Sequence, residues 1–222
     1  MSGAYTVVPY SPRYRPDILR LASYVWSTSP ELNASYLEWK YDRNPYMPTP
    51  SIYLALHDGR PVAMRGLAHS QWEADGESIP APCFGDSAAL PEHRGHGLMH
   101  LISRAALDDM ARAGLPYAFS LSAGAFTRRA FIDAGAIALN LPTTYRREPA
   151  SSVAQLHGDA AALVAAPAAN AMQVGDDIWL AGTPNAAAMA RLVERVPWSG
   201  RIRHVRDLSY FEWRFDNPLS RY

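Results

Sequence analysis

"LPEHRGHGLMHLISRAAL", residues 90–107, is the stretch on which the fold turns. Its second half repeats apolar residues at helical spacing: Leu98, Leu101, Ile102, Ala105, Ala106 and, further on, Met110, with Arg104, Asp108 and Arg112 on the opposite face. The spacing predicts a helix over 95–113 with Gly114 as its C-cap. Its first half is poor helix material, because Gly95 and Gly97 bracket His96 just after Pro91. A helix entered through glycines leaves its first backbone N–H groups without partners, and the helix dipole adds partial positive charge there. This start is therefore either an ordinary turn or an anion site suited to a phosphate or pyrophosphate.

Upstream, "YTVVPY" (5–10) reads as a strand and "RPDILRLASYVW" as a helix over 15–27, with Ile18, Leu19, Leu21, Ala22 and Val25 in register; a second helix follows over 33–42. "SIYLALHDGRPVAMRGLAH" alternates on both sides of Asp58-Gly59, the signature of a hairpin. A second turn falls at Asp75-Gly76, and "CFGDSAAL" (83–90) is a small-residue strand leading into the opening stretch. Downstream come a strand at "YAFSLS" (117–122), a short helix at "FTRRAFIDA" closed by Gly135, and a strand at "IALNLPTTYRR" (137–147). This order describes an α/β fold with a central sheet of mixed direction flanked by helices.

The chain has 222 residues, 48% of them apolar, with 21 basic and 21 acidic side chains. That composition is globular, and its neutral balance argues against a nucleic-acid partner. Cys83 is the single cysteine, and no apolar run is long enough to cross a membrane. The expectation is a cytoplasmic protein without a membrane partner.

From about 149 the composition turns alanine-rich, and then "DDIWLAG" reads as a strand and "NAAAMARLVERVP" as a helix. "SYLEWKYDRNPY" (35–46) recurs as "SYFEWRFDNPLSRY" (209–222), with Ser35/Ser209, Tyr36/Tyr210, Glu38/Glu212, Trp39/Trp213 and Pro45/Pro218 corresponding if one residue is skipped. The expected division is a first domain at 1–148 and, at 149–222, a linker with a partial second copy of that domain, truncated or decayed. Glu38 and Trp39 are accordingly read as packing residues. An incomplete copy would leave apolar surface near 205–222, open to a homodimer partner or a missing segment.

The glycine-led stretch resembles the pyrophosphate loop of the GNAT superfamily of acyl-CoA-dependent acyltransferases, in the register Arg94, Gly95, His96, Gly97, Leu98, Met99, where Met99 departs from the small residue the family has last. "FTRRAFIDAGAI" is similar to the family's last helix, with Phe131 at its aromatic position and Gly135 at its glycine. The resemblance covers about 4–147. It implies two parallel strands, 83–90 and 117–122, that splay apart around the pantetheine arm of acetyl-CoA or another acyl-CoA, which pairs with main-chain groups near Ala88, Ala89 and Leu90. It further implies a partial second GNAT-like module after 149, and an N-acetyltransferase of bacterial type acting on a small-molecule primary amine. "YLEWKY…NP" is similar to members linked with polysaccharide synthesis, which favours an amino sugar, and the chain shows no acidic cluster that would favour a polycationic acceptor.

Direct attack by an amine needs a base, an oxyanion donor and an acid for the thiolate. Asp86, just before the splay, is the candidate base, or else a carboxylate solvated or bonded to loop amides. The family's usual acid is a tyrosine where this chain has Phe131. Either the thiolate leaves unaided, or Ser122, Tyr117 or Tyr145 substitutes, or the domain only binds acyl-CoA or a protein partner. His93 and His96 flank the loop as surface groups or phosphate contacts, and His69 faces either the cleft or solvent. Cys83 lacks a local histidine partner for nucleophilic work. His93, His96 and His100 do not share one helical face, so no metal is expected.

Overall fold

Two Asp-Gly turns build the sheet. Asp58-Gly59 and Asp75-Gly76 all sit at positive φ, the conformation that matches a two-residue turn to the right-handed twist of its flanking strands. They join β2 (Ile52–His57) to β3 (Arg60–Ala74) and β3 to β4 (Glu77–Ala89). With β1 (Thr6–Pro9) they form an antiparallel ladder in the order β1-β2-β3-β4. The computed structural model describes residues 4–47, 51–121, 124–133, 135–138, 171–175, 178–181, 184–196, 200 and 202–220.

Helices cover both faces. On one side α1 (Arg15–Ala22) and α2 (Pro30–Leu37) bury Ile18, Leu21, Ala22 and Leu37 against Leu54, Met64 and Ala88. α2 starts on Ser29, whose hydroxyl accepts from the Leu32 N–H, with Pro30 in the first turn where no N–H is needed. On the other side α3 (Leu98–Arg112) and α4 (Ala125–Asp133) pack on the sheet through Leu98, Ile102, Ala106, Met110 and Phe131. β3 is the central strand, buried without a break over Pro61–Leu67.

Several boundaries move from the sequence reading. The first helix stops at Ala22, and Val25 is 40% exposed and outside the core. The chain turns there because the Tyr24 and Val25 N–H groups bond back only three residues. α3 starts at Leu98, because Gly95 and Gly97 hold left-handed backbone that an α-helix excludes. The strand expected at 117–122 is reduced to one parallel rung, Phe119 beside Cys83. The strand at 137–147 lies outside the described residues beyond 138, as does the segment 149–170.

Toward the C-terminus, β5 (Ala171–Gly175) and β6 (Ile178–Ala181) form a separate hairpin, followed by α5 (Ala186–Glu194). β7 (Arg203–His204) pairs with β3 at Trp72 and Glu73, and α6 (Leu208–Phe215) carries the recurring motif. The two copies of that motif meet: the Trp39 and Trp213 rings stack in parallel at 4.7 Å.

Candidate active site

The open edge of β4 is where the geometry concentrates. At its start the Phe84 N–H donates to the Phe119 carbonyl and the Phe119 N–H to the Pro82 carbonyl, closing the edge. Beyond Phe84 no described residue pairs with that edge. On the β3 side, Met64 stands opposite Ala88 and Gly66 opposite Gly85, so the single residue Arg65 faces both Asp86 and Ser87. This is a β-bulge, with Asp86 at φ +43, and it takes main-chain groups out of the ladder. Such a conformation costs a non-glycine residue energy that the surroundings must hold in place.

What holds it comes from α2. The helix ends in a π-helical turn over Glu38–Asp42, closed by the Arg43 N–H on the Glu38 carbonyl. That turn delivers Lys40 and Tyr41 to the bulge. Lys40 Nζ lies 2.6 Å from Asp86 Oδ2, and the Tyr41 hydroxyl donates to the same oxygen at 2.5 Å. The pair is largely shielded, the Lys40 and Asp86 side chains being 18% and 12% exposed. Burial pushes the Lys40 ammonium down, but the charges and hydrogen bonds of Asp86 and Tyr36 together outweigh it and the net shift is upward. Burial, and then Asp86, push the Tyr41 hydroxyl far above its ordinary range, so it stays a donor. Gly66 makes room for it, since a Cβ there would fall on the Tyr41 hydroxyl. Tyr36 completes the cluster, with Lys40 Nζ 5.4 Å from its ring centre.

Just past the end of β4, the Leu90 N–H bonds the Val62 carbonyl. In an antiparallel ladder alternate residues face the partner, so Leu90 and Ala88 turn toward β3 and Ala89 turns its N–H and carbonyl to the open edge. The Arg94 Nε donates to that Ala89 carbonyl at 3.1 Å. The loop then reaches α3 through Gly95 (φ +81) and Gly97 (φ +71), with open space where a Cβ would stand on either. Leu98 is buried and Met99 packs against the same cluster, so these two anchor the helix while Arg94, Gly95, His96 and Gly97 stay exposed.

The opposite face of the sheet carries Arg65. Its side chain is buried, its guanidinium carbon lying 4.8 Å from the Phe84 ring centre and 4.5 Å from that of Phe131. Nη1 donates to Ser103 Oγ at 2.8 Å, Nε has no partner, and no carboxylate pairs with it among the described residues. Burial pushes it down to about 10, which leaves it charged at neutral pH.

Of the residues singled out in the sequence, Asp86, Ala88, Ala89 and Leu90 lie along one edge, continuous with Arg94–Met99. Phe131 lies beneath the start of that edge, against Phe84. Ser122 and Tyr145 lie outside the described residues, and Tyr117 is 62% exposed. His93 Nδ1 shares a hydrogen bond with the Tyr5 hydroxyl, and the His96 ring lies 5.8 Å from that of Tyr5, so both sit on the β1 side of the loop. His69 Nε2 bonds Ser51 Oγ, and burial lowers its basicity. Burial also pushes the Cys83 thiol up, away from the nucleophilic thiolate. Among the described residues no three His, Cys, Asp or Glu side chains gather as a metal site would require, and no helix is long and apolar enough to cross a membrane. A groove of about 930 Å³ flanks the loop on the side of the β2–β3 turn, lined by Arg13, Arg20, Arg60, His57 and His93 among others, and is distinct from the bulge.

Lys40, Tyr41 and Arg65 were not singled out by the sequence. The signal for Arg65 was present in "PVAMRGLA", where one arginine interrupts an apolar run too long for an edge strand.

The sequence matches the acetyltransferase (GNAT) domain family over residues 7–130. No curated protein matches the chain. Among solved structures, an aminoglycoside N-acetyltransferase in complex with CoA superposes with a TM-score of 0.52 at 12% identity, over 68% of this chain and 98% of that one. A predicted acetyltransferase with acetyl-CoA from Clostridium acetobutylicum superposes at 0.51 and 8% identity, over 64% and 96%. Glucosamine-6-phosphate N-acetyltransferase from Arabidopsis thaliana superposes at 0.50 and 11% identity, over 65% and 99%. At such identities these likenesses establish the shared fold.

Proposed function

The chain belongs to the GNAT acetyltransferase family, and on that premise we propose that it transfers an acyl group from acetyl-CoA, or another acyl-CoA, to a primary amine by direct attack at the β4 bulge. The observation that carries this reading is the Asp86 bulge on an edge that no described residue pairs, a few residues upstream of a glycine-led helix start. The N–H groups at the start of α3 would hold the pyrophosphate. Ala89 turns its main-chain N–H and carbonyl to the same edge, the carbonyl already accepting from Arg94, and would offer its N–H to a pantetheine carbonyl. The thioester would then reach the bulge, where main-chain N–H groups outside the ladder stabilise its developing oxyanion.

In that position Asp86 takes a proton from the attacking nitrogen as the N–C bond forms and the C–S bond breaks. Lys40 and Tyr41 act on Asp86 rather than on substrate, fixing one carboxylate oxygen and leaving the other for the amine. The acceptor class we favour is an amino sugar, supported by the motif at 36–45 and by fold neighbours that act on glucosamine-6-phosphate and aminoglycosides.

The second reading, a domain that binds acyl-CoA without turnover, is favoured by Phe131, which has no proton to give, and by Asp86 already being paired. Release of free CoA thiol from acetyl-CoA, followed with amino sugars, amino acids and simple amines, separates the two. Amine-dependent release that is lost in Asp86→Asn supports transfer. Binding of acetyl-CoA with no amine-dependent release from any of them establishes the second.

A further inference from the structure

Arg65 is a buried cation with no anion beside it among the described residues. Taking such a charge out of water is expensive, and proteins normally repay it with a carboxylate or a bound anion. Among the described residues no carboxylate is in reach, Nε is unpartnered, and Ser103 Oγ is the one hydrogen-bonding side chain the guanidinium touches. Its place is specific: Arg65 stands opposite the Asp86–Ser87 bulge and lies against Phe84, the residue at which the β4 edge opens. The Asp86–Lys40 pair is on the other face of the sheet, and Lys40 is neutralised there by Asp86.

We propose that Arg65 is the fixed positive charge that stabilises the thiolate leaving CoA at the opening of the β4 edge. The inference rests on the acyl-transfer reading above and adds a role that no hydroxyl at position 131 is present to fill. In the step it serves, the amine nitrogen bonds to the acyl carbon and its proton goes to Asp86. The C–S bond breaks with its electron pair on sulfur. Arg65 keeps its own proton, and the thiolate is protonated later by solvent. The guanidinium acts through its charge, across the Phe84 and Phe131 rings, and is therefore a positioning residue rather than a group that touches the sulfur. Low local polarity strengthens such a field over what it would be in water.

The equilibrium consequence is measurable without turnover. Free CoA thiol ionises near the ordinary thiol value of about 8.5, and bound to this protein it is expected to ionise about one pH unit lower, a tenfold change in its ionisation constant. The thiolate's ultraviolet absorbance, followed against pH with protein in excess so that nearly all CoA is bound and with the protein-only titration subtracted, reads this directly. Arg65→Met, which keeps the length and removes the charge, should return the thiol to its free value or above. Lys40→Met should leave it depressed and provides the check should Arg65→Met fail to fold. A bound thiol that ionises like free CoA, a depression that survives Arg65→Met, or one abolished by Lys40→Met each overturns the role of Arg65 while leaving CoA binding in place. Absence of CoA binding overturns the acyl-CoA reading and this inference with it.

Discussion

Trp39 and Trp213 donate their indole N–H groups to each other's carbonyl oxygen, at 2.5 and 2.7 Å, with their rings 5° from parallel. The exchange is reciprocal because the same motif stands on both sides of it. Arg43 and Asp216 meet at 3.7 Å beside it, and Tyr46 donates to Asp207 at 2.9 Å. The contact ties α6 to the π-helical turn whose next residue, Lys40, pairs with Asp86.

Trp213→Ala removes a half-buried indole, its stack on Trp39 and the N–H that donates to the Trp39 carbonyl. Loss of about 2–4 kcal/mol is expected from truncating a large aromatic, read as a lower denaturant midpoint. Trp213→Phe, which keeps the stack and loses one hydrogen bond, should cost about 1 kcal/mol.

Gly66→Ala places a methyl group on the Tyr41 hydroxyl, so Tyr41 must withdraw from Asp86. Overpacking of this kind costs about 1–3 kcal/mol. Amine-dependent turnover should fall while the affinity for acetyl-CoA holds, and Tyr41→Phe should reproduce the kinetic loss without the packing penalty. Turnover in both variants equal to that of the intact chain would remove Tyr41 from the account.

Asp86→Asn keeps the shape of the bulge and removes the proton acceptor. A fall in kcat on the order of 10²–10⁴ is expected from losing a positioned base. The variant also strands the Lys40 ammonium in a shielded site, so its stability should drop, and Lys40→Met in the same chain should restore part of it.

Two histidines set the acid limb of stability. Burial lowers the basicity of both His69 and His204, so the unfolded chain takes up protons first as pH falls below the ordinary histidine value of 6.5. Their contribution is present above that pH and is lost below it. His69→Gln, neutral at every pH, should flatten the stability profile between pH 6.5 and the lower native value, measured by denaturation at a series of pH values. Lys40 works in the opposite direction. Its raised basicity stabilises the fold below its ordinary value of 10.5, and that contribution disappears as pH climbs past its native value.

Much of this was legible in the sequence because it is local. Asp58-Gly59 and Asp75-Gly76 are turn chemistry, the face of α3 is periodicity, and Gly95 and Gly97 take positive φ as a glycine-led helix start requires. Asp86 stood out by position alone. Its partners did not, because Tyr41 lies 45 residues away in sequence and reaches it only when α2 ends in a π-helical turn. Arg65 left a signal, a lone arginine in the apolar run "PVAMRGLA", but on a strand such an arginine reads as solvent-facing until both faces of the strand prove covered. The recurrence of "SYLEW" and "SYFEW" was visible, whereas the stacking of Trp39 on Trp213 required three dimensions.

The most direct measurement is calorimetric titration with acetyl-CoA of the intact chain and of Gly97→Glu. The substituted carboxylate stands at the exposed start of α3, where the account places the pyrophosphate. The account predicts micromolar binding to the intact chain, weakened at least about tenfold, or about 1.4 kcal/mol, in the variant. Equal affinity in both, or no heat with the intact chain, would contradict it.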